Sequence, residues 1–183
     1  MFEKFKVDSK KEEKPKILRI MDDEQIEITK ITESEVEDAH NLLLKGGFEV
    51  TESEIRNIIK DGLSFGAYVS RILIAVGLGW RAAFDTKKVL IVDGEPNSVY
   101  LEDIVVSLAY EGRGVRKILI ESREKEARIQ QLLYSISYVS GDLPEGDIAG
   151  YIKEKGNKLA RLYLLENYEF HDTKNGILAV KVF

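Results

Sequence analysis

The sequence predicts a single mixed α/β domain, and three observations carry that expectation. A chain of 183 residues is long enough for one ordinary domain with a core, while two full domains would need more. Its composition, 44% hydrophobic and 32% charged, is that of a globular protein rather than a disordered one. Strand-like and helix-like patterns follow one another as strand, two helices, strands, helix, strand, helix, two strands, with no internal repeat.

Residues 1–26 are expected to form a polar leader. Met1 to about Pro15 is rich in Lys and Glu and lacks an apolar period, although Ile17, Leu18 and Ile20 could dock on the domain. The domain proper is expected over 27–183. Glu27 to Ile31 alternates as a short strand. Thr32-Glu-Ser-Glu and Thr51-Glu-Ser-Glu are both capping boxes, in which Thr and Glu satisfy each other's orphan amides at a helix start. The first helix carries Val36, Ala39, Leu42 and Leu43 at helical spacing and stops at Gly46-Gly47; the second buries Ile55, Ile58 and Ile59 and ends at Gly62. Phe65–Val69 and Ile72–Leu78 read as a hairpin turning at Ser70-Arg71. Val89–Val92 is strand-like and runs into the turn Asp93-Gly94-Glu95-Pro96.

Val99–Leu108 is a long strand whose continuous Ile104-Val105-Val106 centre suits cover on both faces. Glu111-Gly112-Arg113-Gly114 turns into a helix bearing Val115, Ile118, Leu119, Ser122 and Ile129. Leu132–Val139 is the next strand. After a Gly/Pro/Asp loop, a helical pattern returns around Asp147–Lys155 and more clearly over Lys158–Glu166. Tyr168–His171 and Ile177–Phe183 close a hairpin across Lys174-Asn175-Gly176, where Asn-Gly favours a type I′ turn.

Composition also excludes functions. With 27 Lys+Arg against 32 Asp+Glu the formal net charge is −5, which argues against a nucleic-acid coat. Cysteine is absent, so disulfides, thiolate metal sites and cysteine nucleophiles are excluded. His40 and His171 are the only histidines, too few for a three-His zinc site, and no metal is expected. His40 reads as structural and His171 as solvated. Neither has a serine in a Gly-x-Ser-x-Gly setting, so serine hydrolysis is poorly supported. The longest apolar stretch, Ile72–Trp80, lies between Arg71 and Arg81 and falls far short of the roughly 20 residues of a bilayer span. No membrane partner and a cytoplasmic location are expected.

The strongest local signal is the strand that runs through Gly112 and Gly114 into a helix. Such a turn gathers backbone N–H groups outside a helix start, where the dipole favours anions. Arg113, Arg116 and Lys117 add three cations within a few residues. The bland alternative is a glycine-punctuated turn with a solvated basic face, and neither a P-loop nor Gly-x-Gly-x-x-Gly fits. Glu102 and Asp103, adjacent on a strand, are expected to point to opposite faces, so only one can serve a given cleft. Tyr163 shares a helix with Leu159, Leu162 and Leu165, which mark a core. The acidic clusters at Glu33–Asp38 and Glu52–Glu54 read as helix N-terminal charge.

Two blocks resemble the GCN5-related N-acetyltransferase (GNAT) superfamily. Leu101-Glu-Asp-Ile-Val-Val106 followed by Tyr110-Glu-Gly-Arg-Gly-Val-Arg-Lys-Ile-Leu119 is similar to that family's central strand and its Arg/Gln-x-x-Gly-x-Gly/Ala turn. Gly114 matches the required glycine, while Glu111 stands at the Arg/Gln position and Arg116 at the final Gly/Ala position. Leu162-Tyr163-Leu-Leu-Glu-Asn167-Tyr168 is similar to Leu-Tyr-x-x-x-Gly-Phe, with Asn167 in place of the helix-ending glycine. The family's upstream Asn would fall on Gly156, one place before Asn157.

The resemblance implies a central, mostly antiparallel twisted sheet flanked by helices, with two central strands splayed at an acetyl-CoA site. It implies acetyl transfer from acetyl-CoA, as co-substrate, to a primary amine by direct attack in a ternary complex. The pantetheine arm would pair with the backbone of Ile104, Val105 and Val106. The pyrophosphate would lie on Gly112, Arg113, Gly114, Val115, Arg116 and Lys117. By the same resemblance Glu102 would be the base and Tyr163 the general acid for the leaving thiolate. The acceptor is a small-molecule amine or a protein amine, and the oligomeric state stays open, a homodimer included. Glu111 and Arg116 keep an alternative in play: a catalytically silent acyl-CoA-binding or scaffold protein with a degenerate pyrophosphate loop.

Overall fold

Both early capping boxes form. The structure is a computed structural model and describes residues 16–19, 25–140 and 146–183. Most of the expected leader, residues 1–15 and 20–24, and the loop residues 141–145 lie outside the described residues. A single 3₁₀ turn, Glu33–Glu35, leads into α1 (Val36–Lys45), and α2 spans Glu52–Ile59. At α2 the Thr51 amide donates to the Glu54 carboxylate at 2.8 Å, and the Glu54 amide donates to the Thr51 hydroxyl at 3.2 Å. Such a cap is worth about 1 kcal/mol.

Nine strands build one sheet among the described residues. They are β1 (Lys16–Arg19), β2 (Gln25–Lys30), β3 (Phe65–Val69), β4 (Ile72–Asp85), β5 (Leu90–Val92), β6 (Ser98–Val106), β7 (Tyr134–Ser140), β8 (Glu169–Thr173) and β9 (Gly176–Val182). The order is β1-β2-β3-β4-β6-β7-β9-β8, with β5 paired to the end of β4. β1 lies within the segment read as a leader and pairs with β2 at the sheet edge. Three further helices, α3 (Val115–Ile129), α4 (Ile148–Lys155) and α5 (Lys158–Leu165), complete the fold. The α1/α2 pair covers one face, packing on Val76, Leu78 and Val105. On the other face α3 and α5 pack against Ala75, Leu101, Ile104 and Val106. Val105 and its two neighbours thus face opposite layers, as their continuous apolar run predicts. Gly46 ends α1 so close to β6 that a Cβ there would meet Val105 Cγ2 at 2.5 Å.

Two irregularities in the middle of the sheet position the site. All neighbouring strands are antiparallel except β6 and β7, whose parallel pairing covers only Ser98–Tyr100 against Tyr134–Ile136. Beyond Tyr100 the two strands part, and the Ser137 hydroxyl donates to the Leu101 carbonyl at 2.8 Å where they separate. Between Gly77 and Gly79 the β4–β6 register shifts, so that Glu102 and Asp103 lie opposite the single residue Leu78. This is a β-bulge. It interrupts the alternation from which opposite orientations of Glu102 and Asp103 were expected, and both are half-buried within electrostatic reach of the same arginine, Arg123.

Two hairpins exchange their expected turn chemistry. A type I′ turn needs positive φ at both central residues. Lys174 and Asn175 do not provide it; only Gly176 is left-handed, and the Thr173 hydroxyl organises the turn by donating to the Gly176 carbonyl at 2.7 Å while accepting from the Asn175 amide. Ser70 and Arg71, between β3 and β4, instead carry φ of 48° and 69°. Asn167 adopts φ 63° just past α5, the left-handed end expected of an Asn standing in for glycine.

Candidate functional site

The long strand β6 ends against a short 3₁₀ turn, Leu108–Tyr110, and the chain then enters α3 through Gly112 and Gly114. Their φ values of 75° and 79° are left-handed, and a Cβ at either would meet nothing. Glycine is therefore required here by dihedral angle rather than by crowding. Facing this turn across a cleft of about 430 Å³ is one side of α5. Val106, Gly112, Gly114, Val115, Arg116 and Lys117 form the turn side; Lys158, Arg161, Leu162 and Leu165 form the other. The walls are apolar at depth and cationic at the rim.

Lys158 and Arg161 escaped the sequence reading. The available signal was their spacing, since positions 158, 161, 162 and 165 fall on one helical face. That face was read as core, yet Leu162 lines the cleft and Leu165 is 76% exposed. Arg161 also donates to the Glu154 carbonyl at 2.9 Å. On the turn, Arg113 lies over the Tyr110 ring at 5.0 Å and Lys117 pairs with Glu166 at 2.7 Å.

The two departures from the family turn pattern are one coupled feature. Arg116 Nη2 donates to Glu111 Oε1 at 2.6 Å, and Nη1 donates to the Ile104 carbonyl and lies 3.8 Å from Asp103 Oδ1. Ser107 donates its amide to Ile74 on the β4 side, so by strand alternation Ile104 and Val106 turn their backbone groups toward the open edge. At Ile104 both are engaged: the carbonyl by Arg116 and the amide by Asp103 Oδ1 at 2.7 Å. The edge available for pairing is reduced to Val106 unless Arg116 moves.

Glu102 and Tyr163 sit deeper and do not line the cleft. Burial pushes the Glu102 carboxyl above its ordinary range; the hydrogen bond from the Asp103 amide and the charge of Arg123 oppose the rise, and the Asp103 carboxylate adds to it. Tyr163 is fully buried, its ring 4.5 Å from that of Tyr168. Burial pushes it up to about 12, against the lowering effect of Arg123. Among the described residues no group of three or more His, Asp or Glu is placed to hold a metal ion. No helix among them is long and apolar enough to cross a membrane.

No protein-family model matches the sequence, and no curated protein matches it. Solved structures do. The GNAT domain of PAT from S. lividans is similar with a TM-score of 0.67 at 12% identity, covering 92% of this chain and 97% of that one. A GCN5-related N-acetyltransferase from Kribbella flavida is similar with a TM-score of 0.58 at 16% identity over 80% of this chain, which spans 33% of that longer protein. The chain has the GCN5-related N-acetyltransferase fold. The end of β6, the glycine turn into α3 and the facing side of α5 are the parts of this GNAT fold that line the cleft. GphF, a GNAT-like decarboxylase solved with isobutyryl-CoA, is also similar, with a TM-score of 0.64 at 12% identity over 85% of this chain and 98% of that one.

Proposed function

We propose that the protein is an acyltransferase that moves the acetyl group of acetyl-CoA to a primary amine. The observation that carries this reading is the cleft itself, where an unpaired strand edge, two left-handed glycines and cations on both walls converge. An extended apolar arm bearing phosphates fits that combination. The arm would pair with Val106, and with Ile104 once Arg116 is displaced. Pyrophosphate would lie on the turn from Gly112 to Lys117, within reach of Arg113, with Lys158 and Arg161 opposite.

In the proposed reaction the amine nitrogen attacks the thioester carbonyl, and the Val106 amide supports the developing oxyanion. Glu102 takes the proton released by the attacking nitrogen, directly or through water. A carboxyl whose affinity for protons is raised by burial suits that task. The C–S bond then breaks, and Tyr163 gives its proton to the departing sulfur. No covalent enzyme intermediate is needed, in keeping with a chain that has no cysteine. The proposal includes a cytoplasmic location and a small-molecule or protein amine as acceptor.

A second reading is favoured by a specific observation. Arg116 occupies the Ile104 carbonyl, and Tyr163 lies behind the cleft wall rather than on it. A protein that binds acyl-CoA without turning it over would tolerate both. Calorimetric titration with acetyl-CoA, followed by thiol release across a broad amine panel, separates the two. Binding with thiol release supports transfer; binding without it across the panel supports the silent reading. Absence of binding at millimolar ligand would remove both.

A further inference from the structure

The most expensive side chain in the molecule is Arg123, on the inner face of α3. It is completely buried. Its Nη1 donates to the Leu78 carbonyl at 2.6 Å and the Glu102 carbonyl at 2.9 Å, and its Nε donates to Leu119 at 3.2 Å. Leu78 and Glu102 are the residues that face one another across the bulge. The slot is kept open by glycine: a Cβ at Gly77 would lie 3.0 Å from Arg123 Cζ, and one at Gly79 would meet the Leu63 carbonyl at 2.8 Å. Gly77 thus makes room for the Arg123 guanidinium, while Gly79 is held by the Leu63 backbone. Nη2 is buried without a hydrogen-bond partner among the described residues.

Bulges form without buried cations. A guanidinium taken out of water loses several kcal/mol of hydration, and carbonyl partners do not neutralise its charge. The groups that feel this charge include both residues given proton-transfer roles above, Glu102 and Tyr163.

We propose that Arg123 is a positioning residue for acyl transfer: it holds the bulge that carries Glu102, and its buried charge favours the anion that Tyr163 becomes. The inference rests on the acyltransfer reading. When Tyr163 gives its proton to the leaving sulfur it becomes a phenolate, and the nearby cation lowers the cost of that charge in a site with little water. The proton collected by Glu102 then returns the phenolate to phenol, so the products are the amide and the free thiol. Other groups also face the pair: Asp103 and Tyr100 from β6, Glu124 from α3, Ser137 from β7 and the Tyr168 hydroxyl beyond α5. Asp103 and Glu124 oppose ionisation, but Lys181 from β9 pairs with Glu124 at 2.9 Å and offsets it, and Arg123 is the cation that lowers the cost of ionising both Glu102 and Tyr163.

The test compares Arg123→Met, which keeps bulk without charge, with Arg123→Lys, which keeps charge. Carboxyl-carbon NMR follows the Glu102 titration in the full chain, independently of any acceptor. Arg123→Met is expected to move the Glu102 midpoint upward, and Arg123→Lys to restore part of the shift. With an active amine, Arg123→Met should lower kcat roughly tenfold or more while acetyl-CoA affinity stays the same, and Arg123→Lys should recover part of the loss. An unmoved Glu102 midpoint in folded Arg123→Met, or equal midpoints in the two variants, would overturn the proposal. If Arg123→Met does not fold, Arg123→Gln, which can still donate to the bulge carbonyls but carries no charge, replaces it, and an unchanged Glu102 midpoint there overturns the proposal equally. Wild-type protein that binds acetyl-CoA but releases no thiol would remove the acyltransfer reading, and with it the role in transfer, while the NMR comparison still decides whether the Arg123 charge acts on Glu102.

Discussion

Arg116 and Arg123 lie seven residues apart on one face of α3, and each donates to a carbonyl of β6. There the likeness ends. Arg116, at the cleft mouth, is 22% exposed and carries its own counter-charge in Glu111. Arg123, at the bulge, is fully buried and described with carbonyl partners only. A half-buried pair at the mouth that carries its own counter-charge can rearrange at less cost, because water and ligand phosphates replace what it gives up. A buried, uncompensated cation cannot move without exposing three carbonyls. The mouth is therefore suited to binding and the interior to fixed electrostatics. Variants at the mouth should change affinity, and variants in the interior should change turnover or stability.

The largest expected effect is at Tyr163. Tyr163→Phe should lower kcat by roughly 10²–10⁴, as for loss of a general acid, with acetyl-CoA affinity nearly intact. The same change should leave the unfolding free energy nearly unchanged, because Phe keeps the buried ring and its packing on Tyr168. Steady-state kinetics and urea unfolding on one preparation check both halves. Loss of stability with unaltered turnover would make Tyr163 a packing residue and break the interior side of the comparison.

The elements were legible in the sequence because their signals are local. Capping boxes, glycine stops and alternation fixed α1, α2 and most strands, and the order of elements carried the fold. The site was legible only where it is continuous in the chain, from Ile104 to Lys117. Lys158 and Arg161 join it through the packing of α5 against the turn, which no local pattern announces. Arg123 was invisible for a further reason. Its neighbours in sequence are Ser122, Glu124 and Lys125, and an arginine among polar residues reads as surface. Only Gly77, distant in sequence and placed by the β4 register, reveals that a side chain must fit against it. The bulge was hidden likewise, since it is a relation between two strands rather than a property of either.

At the mouth the second-largest effect is expected. Lys117→Glu should weaken CoA by roughly 1.5–3 kcal/mol, the range for one charge-assisted contact, and should barely affect pantetheine, which lacks phosphate. Lys158→Glu, on the facing wall, should behave alike if both walls hold phosphate. Parallel calorimetric titrations with the two ligands decide it. Equal losses for CoA and pantetheine would take phosphate binding away from this cleft.

Glu111 and Arg116 should show a smaller, coupled effect. Arg116→Gln alone frees the Ile104 carbonyl but leaves the Glu111 carboxylate facing an incoming phosphate, so CoA affinity should fall. Glu111→Gln alone should leave Arg116 free to swing onto the phosphate and should tighten binding. In the double variant both terms vanish, and a coupling energy of roughly 0.5–3 kcal/mol is expected for residues in direct contact. Single-variant effects that simply add in the double variant would mean that the pair does not act as a unit, and the mouth would then not be the adaptable region.

The smallest expected effect returns to the interior and concerns stability against pH. Burial raises the Glu102 carboxyl above its value in the unfolded chain. Between the unfolded and folded values the native state therefore binds more protons than the unfolded state. Stability contributed by this group falls as pH rises through that window and then stays level. At pH above the folded value the charged carboxylate is carried at a cost; below the unfolded value both states are protonated and the cost is gone. Glu102→Gln, which cannot ionise, should consequently gain on the wild type as pH rises above the ordinary carboxyl range, and the gap should close on acidification. Urea unfolding of the two proteins across the acidic range measures this difference directly, with all other carboxyls cancelling. A gap that is flat with pH would mean that Arg123 and the bulge amide hold the Glu102 charge as well as water does, making this part of the interior as tolerant of charge as the mouth.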